Sequence, residues 1–196
     1  MRILAFTDMH GDLSSLKSIK KKARNADVVV CCGDLTILGQ HLSYLLLELN
    51  RLGKPVFIVH GNHEGESAMR KAGSLFSRIH YLHRDYFVYG DVVFLGYGGG
   101  GFSMHDAGFE KDAEKLFGAM KKAESSVLIL HGPPYGVKQD RIMNGHCGNK
   151  SYTKFIREKK PNYVFCGHIH ENNGTIDKIE DSIICNPGHK GKLINL

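Results

Sequence analysis

The sequence predicts an α/β fold organised around a parallel β-sheet. Short apolar runs alternate with longer amphipathic segments along the first third of the chain, and these runs lack a polar residue at every second position. Strands of that kind are typical of parallel sheets covered on both faces. Two predicted hairpins further along, at 86–95 and 175–185, add antiparallel strands. A purely parallel, doubly wound sheet is therefore too simple, and we expect mixed sheets.

The first third of the chain predicts three strands, each followed by a helix. Asp12 is the expected N-cap of the first helix, in which Leu16, Ile19 and Ala23 recur at helical spacing. Gly53 is expected to end the second helix. The predicted elements are strand 3–7, a helix from the Asp12 cap to about residue 24, strand 27–32, helix 41–52, strand 55–59 and helix 66–72.

The rest of the chain predicts hairpins, two helices and further strands. Gly90-Asp91 is the expected turn of the first hairpin. The glycine run 98–101 is expected to be a loop, and because it lacks the GxGxxG spacing we expect no dinucleotide site there. A polar loop is expected at 133–150. The predicted elements are strands 86–89 and 91–95, helix 110–123, strand 126–130, helix 152–159, strand 163–166, strands 175–179 and 182–185, and a closing strand at 192–196.

Length and composition fit one ordinary globular domain. The 196 residues predict a single domain, 1–196, and the 42% hydrophobic and 23% charged residues exclude a disordered chain or a coiled coil. The net charge of +6 favours anionic ligands, although the basic run between Lys17 and Arg24 is expected to be an exposed helix face. The 12 histidines direct attention to metal binding.

Cysteine usage and hydropathy predict a cytoplasmic protein. The five cysteines are an odd number without a CxxC pair, which is typical of reduced thiols. The N-terminal apolar run is too short for a signal peptide, and no apolar stretch approaches the ~20 residues that span a bilayer. We therefore expect no membrane partner.

Polar, ligand-rich segments follow five of the predicted strands. Ligands bind outside the carboxyl ends of strands in open α/β sheets. Nitrogen and oxygen donors without a thiolate suit Mn²⁺, Fe, Zn²⁺, Co²⁺ or Ni²⁺, and seven such donors are enough for two ions that share a carboxylate. The segments are Asp8-Met9-His10, Gly33-Asp34, Gly61-Asn62-His63-Glu64, His131-Gly132 and Gly167-His168-Ile169-His170. Their glycines are expected to let the backbone approach the ions closely.

The order DxH, GD, GNHE, H and GHxH over residues 8–170 resembles the calcineurin-like metallophosphoesterase superfamily. Asn186-Pro187-Gly188 is similar to that family's closing turn. The HGPPYG stretch with its later Asp and GHxG, within 131–148, resembles small prokaryotic, often archaeal, predicted phosphoesterases. It is also similar to metallophosphoesterase-domain proteins with cyclic-nucleotide phosphodiesterase activity. The resemblance implies a four-layer α/β/β/α sandwich of two mixed β-sheets flanked by helices.

The resemblance also implies a role for each motif residue. Asp34 would bridge two divalent metal ions, with Mn²⁺ the expected metal. His63 would bind no metal but would protonate the leaving oxygen, while a metal-bridging hydroxide attacks phosphorus in line. Glu64 and Asp12 would support the ligands, Glu64 by orienting His63 or His10. The implied ligands of one ion are Asp8, His10 and His170, and those of the other are Asn62, His131 and His168; the implied catalytic residues are His63, Asn62 and Asp34.

Several residues outside the motifs are candidates for weaker roles. His146 and Arg141, in the loop after His131, are the expected substrate contacts. His60 is expected to pack beside the site without binding metal, and His189 could approach the pocket from the closing turn.

The leading hypothesis is a phosphodiesterase acting on a small or cyclic nucleotide-like ester. A nuclease is a less favoured alternative, because no separate nucleic-acid module is visible. A phosphomonoesterase or protein phosphatase is weakened by Leu35 and Gly65, which stand where larger phosphatases of this type carry arginines. A non-catalytic scaffold is disfavoured because every motif is intact. The expected partner is a phosphate-ester small molecule, and the oligomeric state, including a homo-oligomer, is left open.

Overall fold

Two mixed β-sheets face each other at the centre of the molecule, and helices cover both outer faces. The computed structural model describes all 196 residues. The strands are β1 (Arg2–Phe6), β2 (Val28–Cys31), β3 (Val56–Ile58), β4 (Ile79–Tyr81), β5 (Asp85–Tyr89), β6 (Val92–Tyr97), β7 (Ser125–Leu130), β8 (Arg141–Ile142), β9 (Gly145–His146), β10 (Tyr163–Phe165), β11 (Ile176–Ile179), β12 (Ser182–Cys185) and β13 (Lys192–Asn195). The helices are α1 (Leu13–Ala23), α2 (Leu42–Asn50), α3 (Glu66–Gly73), α4 (Ala107–Met120) and α5 (Lys150–Lys159).

Each large sheet combines a parallel centre with antiparallel edges. The first sheet has the order β13-β1-β2-β3-β4, in which β13 is antiparallel to β1 and the other pairs are parallel. The second has the order β11-β12-β10-β7-β6-β5, with antiparallel hairpins at both edges. These hairpins are the two that the sequence predicts, so the prediction of a mixed four-layer sandwich is confirmed.

Three apolar clusters hold the four layers together. One lies between α1, α2, α3 and the first sheet, and one lies between α4, α5 and the second sheet. The third lies between the sheets, where Phe57 stacks on Phe94 with ring centroids 4.2 Å apart. Cys31 faces the helices and Cys32 faces the other sheet, as expected for adjacent strand residues.

Three strands differ from the sequence prediction, which has no strand at their positions, and one helix starts earlier than predicted. β4 has only three residues, and a short strand with a polar centre gives no periodic signal. β8 and β9 form a small hairpin inside the predicted polar loop. Helix α4 starts at Ala107, three residues before the prediction, because the Asp106 side chain accepts a hydrogen bond from the amide of Phe109 and caps it.

The two sheets are joined at the carboxyl ends of their central strands. The amide of His168, after β10, donates to Asp8 after β1 at 2.9 Å. The His131 ring, after β7, contacts the carbonyl oxygen of Cys32 after β2 at 2.9 Å. The predicted ligand segments of both sheets therefore meet at one edge of the sandwich. No helix has both the length and the apolar character that crossing a membrane requires.

Candidate metal centre

The metal ligands that the sequence predicts come together in overlapping groups at this edge. In each group the candidate ligand atoms lie within 4.8 Å of one another. The groups are Asp8, His10 and His170; Asp34, His131 and His168; and His10, Asp34 and His63. The first group has the three residues that the resemblance implies for one ion, the second has two of the three implied for the other ion together with Asp34, and the third connects them.

Asp8 presents one free carboxylate oxygen to the first group. Its Oδ2 accepts hydrogen bonds from the Thr7 hydroxyl at 2.8 Å and from the His168 amide. Its Oδ1 is buried without a hydrogen-bond partner and lies 3.7 Å from Nε2 of His170. Burial raises the pKa of the Asp8 carboxyl, but the nearby imidazoles, His170 first, and the Thr7 hydroxyl outweigh it and hold that pKa below its ordinary value. An ionised, buried and unpartnered oxygen fits a cation ligand.

The rings of His10 and His131 are oriented by backbone carbonyls. Nδ1 of His10 lies 3.3 Å from the Thr36 carbonyl oxygen, and Nδ1 of His131 lies 2.9 Å from that of Cys32. A carbonyl oxygen only accepts hydrogen bonds, so each Nδ1 carries the proton and donates it. Nε2 of each ring is left as an electron-pair donor that faces the centre, which is the orientation that metal-ligating histidines require.

One close contact joins two atoms that would repel each other without a cation. Nε2 of His131 lies 3.0 Å from Oδ1 of Asn62. With Nδ1 protonated, His131 offers only an acceptor to the acceptor oxygen of Asn62. A divalent ion held by both atoms would turn this repulsion into coordination. In the first group, Nε2 of His10 lies 3.1 Å from Nε2 of His170, close enough for both rings to bind one ion.

His168 completes the second group. Its Nε2 is buried and has no hydrogen-bond partner. Burial lowers the pKa of His168, which favours the neutral ring. The two unpartnered buried atoms of the centre, on Asp8 and His168, thus belong to different groups.

Asp34 lies between the two groups. Its Oδ1 accepts the His63 amide at 2.9 Å. Its Oδ2 lies 3.5 Å from Nε2 of His131 and 4.0 Å from Nε2 of His10, which belong to different groups. This placement suits a carboxylate shared by two ions.

Family membership is decided by a match that spans most of the chain. The model of the calcineurin-like phosphoesterase family matches residues 1–172. The chain belongs to the calcineurin-like phosphoesterase family. It is therefore a metal-dependent phosphoester hydrolase, and members of this family are typically dinuclear.

The chain is similar to other proteins over nearly its whole length. MJ1162, an uncharacterized protein of Methanocaldococcus jannaschii, is 31% identical over an alignment of 205 residues including gaps. The alignment covers 99% of this chain and 91% of that protein. The structure of TT1561 from Thermus thermophilus matches with a TM-score of 0.77 at 16% identity, over 95% of this chain and 88% of that one. A dimetal phosphatase from Danio rerio matches with a TM-score of 0.67 at 11% identity, over 94% of this chain and 86% of that one. At these identities the two structures show a shared fold.

His63 of this phosphoesterase has its tautomer set by the loop that follows Asp34. The amide of Leu38 donates to Nδ1 of His63 at 3.3 Å, so the proton of a neutral ring lies on Nε2. That Nε2 lies 3.9 Å from Oδ2 of Asp34, and the ring centroid lies 4.9 Å from that of His10. His63 thus presents an N–H toward the centre.

The backbone around the ligands is tightly constrained. Asp8, His10, Asp34 and His168 all have left-handed backbone conformations, with φ between 48° and 72°. Such strain is concentrated at functional sites. A Cβ on Gly61 would lie 2.0 Å from Oδ1 of Asp34. Glycine is therefore required there, as the sequence predicts.

Glu64 supports the predicted ligand Asp34 rather than the rings of His63 or His10, which the resemblance implies as its partners. Its buried carboxylate accepts hydrogen bonds from the backbone amides of Asp34, Thr36 and Gly61 and from the Thr36 hydroxyl. These donors lie where the loops after β2 and β3 cross. The side chain of Asp12 is occupied as the N-cap of α1, where it accepts the amides of Ser14 and Ser15.

His60 lies beneath the glycine run and belongs to none of the metal groups. Its carbonyl accepts the amide of Gly99 at 2.8 Å, and the neighbouring His83 accepts the amide of Gly98 through Nδ1 at 3.0 Å. Burial lowers the pKa of His60 to about 4. The run held in this way leads to Phe102, whose ring meets that of His168 edge-on at 4.6 Å. The role of His83 was missed because nothing in sequence links it to residue 98.

The predicted substrate residues His146 and Arg141 pair with each other across the β8–β9 hairpin. The hairpin is anchored by Asp140, which is fully buried. Its carboxylate accepts a hydrogen bond from Nδ1–H of His146 at 2.6 Å and further hydrogen bonds from three backbone amides. Nδ2 of Asn172, two residues after His170, donates to the carbonyl oxygens of Gln139 and Arg141. The hairpin therefore borders the first metal group.

His189 lies outside the metal groups. Its Nδ1 contacts the side chain of Asn173 at 3.2 Å.

Proposed function

We propose that this protein is a binuclear phosphodiesterase that hydrolyses a small or cyclic nucleotide-like ester, with Mn²⁺ as its metal. The observation that carries the proposal is the pair of buried, unpartnered ligand atoms, Oδ1 of Asp8 and Nε2 of His168, on either side of Asp34. Orphaned buried polar atoms are rare in folded proteins. Two of them in adjacent ligand groups support a pair of cations as the missing partners.

The donor set fits borderline divalent metals. One ion would be held by Asp8, His10 and His170 and the other by Asn62, His131 and His168, with Asp34 shared. Imidazole nitrogens suit Mn²⁺ and its neighbours better than Ca²⁺, which prefers oxygen ligands alone. When bound, two such ions supply Lewis acidity and a water that is acidic enough to attack at neutral pH.

The protein supplies charge balance and a proton. Two divalent ions carry four positive charges, of which Asp8 and Asp34 neutralise two, so the loaded site attracts a phosphate ester. His63 directs its Nε2–H toward the centre, where it donates a hydrogen bond to the leaving oxygen and helps to protonate it as the ester bond breaks, a role that contributes about 10²–10⁴-fold in rate. His146 and Arg141, at the border of the first group, contact the rest of the substrate.

The whole chain acts as one domain in this proposal. The five cysteines are free and four of them are buried, which supports a reducing, cytoplasmic location.

The test is hydrolysis of bis(4-nitrophenyl) phosphate with added Mn²⁺ by the wild type and by Asn62→Ala and His63→Ala. We expect both variants to lose about 10²-fold or more in kcat, with the metal content of His63→Ala unchanged. Asn25→Ala, at an exposed asparagine before β2 and so at the end of that strand opposite Asp34, is the control and should retain full activity. Wild-type activity in both site variants would overturn the proposal.

A further inference from the structure

Bulky apolar side chains are exposed beside the metal centre. Leu13 is 63% exposed, Leu38 is 75% exposed and Tyr44 is 49% exposed. Leu13 follows the His10 segment at the start of α1, and Leu38 lies in the loop after Asp34. Single exposed apolar residues are common, but several at the rim of one site mark a binding surface.

A shallow cavity of about 360 Å³ lies within this surface. Its walls are Gly11, Leu13, His41 and Tyr44, and the buried Leu45 also lines it. None of these side chains carries a fixed charge. The cavity is large enough for one aromatic ring, and its lining offers mainly apolar contact.

The surface is linked to His63 from two directions. Leu38 donates its amide to Nδ1 of His63, and Gly11 directly follows His10, whose ring lies 4.9 Å from that of His63. Leu38 and His41 both have left-handed backbone conformations, with φ of 51° and 58°. This conformation is unfavourable for a leucine, and here it accompanies the contact with His63.

We propose that the surface formed by Leu13, Leu38, His41 and Tyr44 receives an aromatic ring on the leaving group of the ester. This inference rests on the proposed function, because it depends on His63 facing the leaving oxygen and helping to protonate it. In that step water forms the new P–O bond and the ester P–O bond breaks. Nε2–H of His63 donates a hydrogen bond to the leaving oxygen, and the proton that water releases ends on that oxygen, so the ring is neutral before and after the step. The group attached to the leaving oxygen must then extend past His63, onto the apolar surface beside it.

An aromatic group is favoured there over a charged or sugar-like one. Covering Leu13 and Tyr44 removes apolar area from water, and a ring does so with little loss of conformational entropy. A strongly hydrated group would have to give up water without gaining polar partners.

The test compares two phosphonates that differ only in the ring. Calorimetry would measure the Kd of methylphosphonate and benzylphosphonate for the Mn²⁺-loaded protein, so the test needs no turnover. We expect benzylphosphonate to bind about tenfold more tightly to the wild type. The double variant Leu13→Ser/Tyr44→Ser should reduce this preference to about twofold and leave methylphosphonate binding unchanged, since methylphosphonate does not reach the surface.

Leu75→Ser is the matched control, because Leu75 is a leucine of similar exposure (71%) on a different segment. It should keep the tenfold preference. Equal binding of the two phosphonates by the wild type, an undiminished preference in the double variant, or no binding of either phosphonate would overturn the inference. Preferential ring binding by a protein that hydrolyses no ester would instead support the surface and contradict the proposed function.

Discussion

Glu64 holds the backbone of Asp34 in place from a position thirty residues along the chain. Oε2 of Glu64 accepts hydrogen bonds from the backbone amides of Asp34 and Gly61, each at 3.1 Å. Asp34 in turn accepts the amide of His63, next to Glu64. The loops after β2 and β3 are thus connected in both directions, and the carboxylate that would bridge the metals is fixed by backbone contacts.

Glu64→Gln should therefore weaken both folding and catalysis. The amide group of glutamine would place N–H donors where Glu64 accepts four hydrogen bonds, which costs about 1–3 kcal/mol of unfolding free energy. Urea unfolding checks this value, and Mn²⁺-dependent hydrolysis should fall with it. Glu114→Gln, at a side chain that is 77% exposed, should change neither quantity. Equal stability of the two variants would show that the contacts of Glu64 are unimportant.

Gly61→Ala and Gly118→Ala should have opposite effects. A Cβ at Gly61 would collide with Asp34, so we expect a loss of about 1–3 kcal/mol or more, together with loss of activity. Gly118 lies exposed in α4 with nothing within 4 Å of the new Cβ, and alanine there should stabilise the helix by about 0.5–1 kcal/mol. Thermal unfolding of both variants checks the prediction, which fails if Gly61→Ala is as stable and active as the wild type.

The stability of the glycine run should depend on pH through His83. Burial lowers the pKa of His83, and its Nδ1 must be unprotonated to accept the Gly98 amide. Because the folded pKa lies below the ordinary value of about 6.5, the unfolded chain binds the proton first as the pH falls. The contribution of His83 is therefore complete above pH ~6.5 and is lost as the pH falls through its folded pKa.

His83→Asn keeps an acceptor for Gly98 but cannot titrate. The unfolding free energy of the wild type minus that of His83→Asn should fall between pH 7.5 and pH 5, by no more than about 1.4 kcal/mol per pH unit. Urea titrations at several pH values measure this difference. A difference that stays constant or rises toward acid pH would contradict the assignment.

Metal removal should destabilise the protein, because two ligand groups then face each other without cations. A metal that binds only the folded state adds about 2.7 kcal/mol when its concentration is 100-fold above its Kd. Mn²⁺ should therefore raise the Tm of chelator-treated protein, and Ca²⁺ should raise it much less because most of the donors are imidazoles. In His168→Ala the increase with Mn²⁺ should shrink. An identical increase with both cations would argue against the imidazole-rich sites.

The sequence predicts the metal ligands better than the hydrogen bonds that hold them in place. Each ligand segment directly follows an apolar strand, which predicts a site at the carboxyl ends of the strands. The resemblance to the phosphoesterase family adds the grouping of residues from the two sheets, such as Asp8 and His168. The left-handed backbone of Asp8 and Asp34 is not visible in that pattern, because aspartate usually adopts other conformations.

The supporting contacts were missed because they join residues that no local pattern relates. Glu64 bonds Thr36 across 28 positions, and His83 bonds Gly98 across 15. Asp140 is different, since Gly136 and Gly148 lie close to it in the chain. The Pro-Pro-Tyr-Gly stretch followed by an aspartate was a local signal for that anchor.

The metal content of the purified protein and of Asp34→Asn tests the central claim most directly. Elemental analysis after loading with Mn²⁺ and gel filtration would give the number of ions per chain. We predict two ions per chain in the wild type and fewer than one in Asp34→Asn, because Asp34 lies between the two groups and would be a ligand of both ions. A wild type that holds one ion or none, or an Asp34→Asn variant that retains both, would contradict a binuclear centre built around Asp34.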